Sequence, residues 1–110
     1  MSKNHQQIDE IIIRKTSQNY YGLGNEQYTN SFRIFMNPVL ELPDYQQIDE
    51  FFEKNIEGKK MTAEEAVFAV AMFIGNTFCP GYVEVASRVT DANQTDRTIV
   101  KRLGEKIRYD

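Results

Sequence analysis

Thr62-Ala-Glu-Glu-Ala-Val-Phe-Ala-Val-Ala-Met-Phe-Ile-Gly-Asn-Thr-Phe78 decides how the fold is read. Its first four residues have the form of a capping box. The Thr62 hydroxyl can accept an orphan amide of the first turn, and the Glu65 carboxylate can reach back to the amide of the cap. Ala66 to Ile74 then gives nine apolar residues without a break. Gly75, Pro80 and Gly81 supply closing signals. A helix that is apolar all round must be covered on most sides. The pattern therefore predicts a buried central helix over 62–78, with Phe68, Val70, Met72 and Phe73 in the core.

Working outward, Asp44-Tyr-Gln-Gln-Ile-Asp-Glu50 repeats the form of Asn4-His-Gln-Gln-Ile-Asp-Glu10. Each reads as a helix start, with Asn4 or Asp44 as N-cap and acidic residues in the first two turns, where the helix dipole favours them. The match ends there, so the chain is no solenoid repeat. The first such helix is expected over about 5–17, with Ile8, Ile11 and Ile12 buried. The second, Asp44 to Ile56, is amphipathic, with Tyr45, Ile48, Phe51, Phe52 and Ile56 on one side. Between them lie a loop rich in glycine and tyrosine (20–28) and the alternation Phe32, Ile34, Met36, which suggests an extended segment. Pro38 and Pro43 make regular pairing beyond it doubtful.

After Gly81, residues 82–89 are expected to form a short helix with Val85, Ala86 and Val89 inward. Thr90 to Thr95 is a polar connection. Asp96 would cap a last helix whose apolar side is Ile99, Val100, Leu103 and Ile107. The sum is a mainly α single domain, 1–110: a bundle of four to five helices around the buried central helix 62–78, with a short extended or β segment near 31–42.

Composition narrows the function classes. The 110 residues are 41% hydrophobic and 26% charged, ordinary values for a globular chain. No apolar run approaches the roughly 20 residues needed to cross a bilayer, and the N-terminus lacks the pattern of a signal peptide. With one cysteine (Cys79) and one histidine (His5), an internal disulfide and a His/Cys zinc site are both excluded. A reducing, cytoplasmic setting is expected, with no metal or cofactor. Catalysis finds little support. His5 sits at an expected frayed end, and Cys79, between Phe78 and Pro80, reads as a small buried hydrophobe. Gly22-Leu-Gly24 lacks the length and lysine of a phosphate loop.

Charge is uneven. From Glu41 to Glu65 eight acidic residues face three lysines, a balance of −5; from Arg97 to Arg108 five basic residues face Glu105, a balance of +4. Either patch can be a solvated helix face that attracts the other. As recognition surfaces they suggest two functions. In the first, Asp49, Glu50, Glu53 and Glu57 steer a basic protein toward this chain, and Tyr20, Tyr21 and Tyr28 provide rigid contact area with polar tips. By size, charge and lack of catalytic groups this places the chain with inhibitors, antitoxins and immunity proteins, whose partner is a basic protein such as a toxin or nuclease. In the second, residues 82–108 loosely resemble a helix-turn-helix DNA-binding domain, with Arg97, Thr98, Lys101 and Arg102 at the contact positions. The resemblance lacks the usual glycine turn at Thr90-Asp91. A homo-oligomer is a third expectation, if Ile13, Phe35 and Val39 form an exposed apolar patch.

Overall fold

The computed structural model describes residues 10–21, 26–37 and 43–104. Four strands and two helices follow one another as β1 (Ile11–Tyr20), β2 (Gln27–Asn37), α1 (Tyr45–Asn55), α2 (Ala63–Phe78), β3 (Tyr82–Asp91) and β4 (Asp96–Gly104). The strands form one antiparallel sheet in the order β1-β2-β3-β4. The helical pair interrupts the meander between its two central strands. This overturns the expected helical bundle: the protein is mainly β, with two helices laid on one side of a sheet.

The physical reason lies in the period of the apolar residues. Along β3, Val83, Val85 and Val89 are buried, as is Ser87, which occupies the same face. That spacing of two is the signature of a pleated strand. In β1, Ile11 and Ile13 are buried and Ile12 is 40% exposed, so the isoleucine run alternates across the sheet instead of lining a helix. Residues 11–17 and 82–89 are therefore strand, and so are residues 96–104 of the expected last helix. Ile107 and the rest of that helix fall outside the described residues, as do residues 4–9, 38–42 and with them Val39.

Alternation gives the sheet a covered and an open face. Ile13, Ile34 and Val85 stand in one row of paired residues on the covered face, and all three lie in the core. Two rows further along, Phe32 meets Phe52 of α1 edge-on at 5.1 Å. α2 packs over β3 and β4, with Gly75 against Leu103. The helices touch each other where Phe51 stacks on Phe73 at 4.1 Å.

Both helix starts form as their sequences dictate. Asp44 caps α1 by accepting from the amides of Gln46 and Gln47. The Thr62 box closes reciprocally: the Glu65 amide donates to the Thr62 hydroxyl at 3.0 Å, and the Thr62 amide donates to the Glu65 carboxylate at 2.8 Å. α2 is nevertheless not covered all round. Ala63, Ala66, Val67, Val70, Ala71 and Ile74 form its buried stripe, which is all that one sheet can cover. Phe68 is 51% exposed, and Met72 and Phe73 are half-buried. The helix ends at Cys79, which is exposed and left-handed (φ 47°), not a buried hydrophobe.

Candidate functional site

Four places on the molecule carry polar chemistry. The first is the outer side of α1. Asp49, Glu50, Glu53 and Glu57 are all exposed there. Two of them have partners in the fold: Asp49 forms an ion pair with Lys15 of β1, and the Glu57 carboxylate accepts the Gln18 amide at 3.3 Å. Among the described residues Glu50 accepts only a long bond from Gln46 in its own helix, at 3.5 Å. Glu50 and Glu53 are therefore the freest anions of the stripe.

The tyrosines do not form a free platform beside it. Tyr28 is buried to 1% exposure, and its hydroxyl donates to the Met61 carbonyl. Burial pushes its phenol up to about 12. Tyr21 stacks on Tyr28 at 4.5 Å, and the Tyr20 hydroxyl accepts from Gln27. Of the expected contact tyrosines, Tyr28 belongs to the core, while Tyr20 and Tyr21 are half-buried above it.

Next to Tyr28 lies a chain of buried polar side chains. Ser87 donates to Asn30 at 2.9 Å, Asn30 donates to Asn19 at 2.9 Å, and Ser17 donates to the same Asn19 oxygen at 2.6 Å. The Asn19 amide group donates to the carbonyls of Ile56 and Lys59. The segment joining the helices also bonds along β1. Gly58 donates to the Gln18 carbonyl, Tyr20 donates to that of Lys59, and Met61 donates to that of Tyr20. Every member of the chain has a partner, so the cluster is structural.

The third place is the β3–β4 hairpin. Asp91 organises it by accepting the amides of Asn93 and Thr95, and Gln94 takes a left-handed conformation (φ 64°). This tight turn stands where the helix-turn-helix reading put its connection. That reading fails here: without a helix over 82–89 or 96–104 there is no recognition helix to enter a groove. Its contact residues are also parted by the strand's period. Arg97 and Lys101 fall on the covered side, where Arg97 pairs with Glu64 at 2.8 Å and the Lys101 ammonium lies 5.4 Å from the Phe68 ring centre. Thr98 and Arg102 point to the open face, where Arg102 pairs with Glu84 at 3.1 Å. The hydrogen bond from Arg97 holds Glu64 below the usual carboxylate range and raises Arg97 in turn.

The open face is the fourth place. It carries Arg14, Arg33, Arg88 and Arg102, one from each strand, against Glu84 and Asp96. Asp96 accepts from Arg88 and Thr90, and the Arg88 bond is the larger reason its carboxyl is held low. Glu84 accepts from Tyr82 and Arg102, and the Tyr82 hydroxyl leads in lowering it. Arg14 and Arg33 stand directly opposite each other. The sequence reading missed Arg14, Arg33 and Arg88. Only the strand register brings them together, and no local spacing announces it.

The expected apolar patch does not form, since Ile13 and Phe35 are 8% and 9% exposed. Among the described residues no group of three or more His, Cys, Asp or Glu side chains is placed to hold a metal ion, and no helix is long and apolar enough to cross a membrane. No protein family and no curated protein matches the chain.

Proposed function

We propose that this protein is a non-catalytic binding module that recognises a more basic protein through the outer surface of α1, in the manner of an inhibitor, antitoxin or immunity protein. One observation supports it above the others. Asp49, Glu50 and Glu53 are all exposed on one helix, Glu57 follows at its end, and Lys54 is the only basic residue within α1. Such a field speeds encounter with a cationic surface and is screened by salt. The exposed Tyr45, at the start of the same helix, adds contact area in place of the tyrosines that the fold withholds. A single exposed thiol, Cys79, fits a reducing cytoplasm.

The test is co-purification from the native host's lysate at graded salt, with wild type and an E50K/E53K variant. Both positions are exposed and make no hydrogen bond or ion pair to another element among the described residues, so circular dichroism should show the variant folded. Loss of the salt-sensitive partner supports the reading. Recovery of the same partners at the same salt sinks it.

A further inference from the structure

We propose that the open face of the sheet docks a single-stranded nucleic acid, held through its phosphates at Arg14 and Arg33. Of the five described arginines, four lie on this face, and none of the described lysines does. Arginine's planar fork matches phosphate with two parallel hydrogen bonds, which the ammonium of lysine cannot do. The two carboxylates of the face are already engaged by Arg88 and Arg102. Arg14 and Arg33 make no ion pair among the described residues, yet the β1–β2 register sets them face to face. Like charges directly opposite on a sheet repel. An anion between them would turn that repulsion into binding.

The surroundings favour a nucleic-acid strand over an acidic protein segment. Thr16 and Ser31 face each other two rows further along, the next pair on this face, and add hydroxyl donors suited to phosphate oxygens. At the hairpin end of the same face is a recess of about 220 Å³, lined by Gln18, Gln27, Thr29 and Thr90 among others. Its amides and hydroxyls offer both donors and acceptors, the chemistry of base edges, and Asp91, also in its lining and already accepting the Asn93 and Thr95 amides, adds a carboxylate acceptor. A duplex keeps its bases stacked inside, so only a strand with free bases can use both features. The overall charge of −3 does not oppose this, because the acidic residues of α1 lie on the other layer.

Fluorescence anisotropy tests the proposal, with the full chain and end-labelled U and dT strands of about 20 nucleotides at roughly 20 to 200 mM salt, a range over which the screening length shortens about threefold. Wild type should bind at low salt and weaken steadily as salt rises, with a log–log slope of about −1.5 for two phosphate contacts. R14E should lower affinity at least about tenfold. Its melting temperature should hold or rise, because the new carboxylate faces Arg33. R14K/R33K should bind between the two, and E50K/E53K should bind no worse than wild type. No binding at 20 mM salt would overturn the proposal, as would equal binding by folded R14E. So would preference for an acidic peptide or anionic vesicles over the oligonucleotides, or dissociation of a wild-type oligomer by R14E without oligonucleotide binding. Because E50K/E53K separates the two surfaces, this result does not depend on the fate of the α1 reading.

Discussion

The two faces of the sheet are built from the same strands, residue by residue in alternation, and have almost nothing else in common. The covered face holds Ile13, Phe32, Ile34, Met36, Val83 and Val85 in a continuous core, with a chain of asparagine and serine at one end. On the open face arginines, threonines and paired carboxylates stand around the exposed Ile12 and Val100. The difference shows what the helices do. They dry one side of the sheet and pair with its two edge strands, Asp49 with Lys15 and Glu64 with Arg97. Most strand residues then take their role from whether their number puts them under the helices; Phe35 and Tyr82, buried edge-on against each other on the other face, are exceptions.

Substitutions can break or sharpen that contrast. The largest effect should come from Ile34→Ala, at 0% exposure in the core, which should cost about 3–4 kcal/mol in denaturant unfolding, whereas Val100→Ala on the open face should cost less than about 1 kcal/mol. Similar losses at the two sites would mean that the open face is covered too. Asn30→Ala should come next, at about 2–3 kcal/mol, because it strands the Ser87 hydroxyl and one bond of Asn19. A third effect is a pH dependence. Burial holds the Tyr28 phenol at about 12 in the folded chain against 10.0 when free. The unfolded chain therefore loses this proton first as pH rises. Stability present below pH 10.0 is lost up to pH of about 12, by at most about 3 kcal/mol at about 1.36 kcal/mol per pH unit. In Tyr28→Phe the unfolding free energy should be flatter across that window, after allowance for the other tyrosines. The smallest effect belongs to the exposed Lys15–Asp49 pair, where Asp49→Ala should change stability by less than about 1 kcal/mol. A larger loss would show that α1 is tethered by charge instead of by Phe52 and Ile48.

How much of this was legible in the sequence follows from which forces act locally. Both helix starts were legible at Asp44 and Thr62, because a cap needs only its own first turn. The strand character of 31–37 was legible too, from Phe32, Ile34 and Met36. β1, β3 and β4 were misread because their apolar residues fit both periods. Ile99, Val100 and Leu103 satisfy a helical face, while the strand buries none of the three fully and leaves Val100 39% exposed. Pairing partners on other strands decided the matter, the most distant of them joining β2 to β3, as Ser87 with Phe32 illustrates. The nine-residue apolar run points to the wrong burial for the opposite reason: apolar all round does not require covered all round, and Phe68 lies open. Among candidate site residues, the α1 carboxylates were found by helical spacing. The opposed arginines could not be, because their proximity exists only once two strands have chosen a register.

The amide chain through Asn19, Asn30 and Ser87 bears on how that choice is made. Apolar side chains are forgiving about which neighbour they meet, and a sheet of valine and isoleucine could slide by two residues and still look dry. An asparagine cannot slide with them. If β2 slid two places between its neighbours, Asn30 would stand opposite Asn19 and Asp91 or opposite Lys15 and Ser87, and either way one of its bonds to Asn19 and Ser87 would be unmade, a penalty no neighbouring hydrocarbon can offset. Three small polar residues thus act as a key cut into an otherwise smooth surface, admitting one alignment of β1, β2 and β3 and rejecting its near copies.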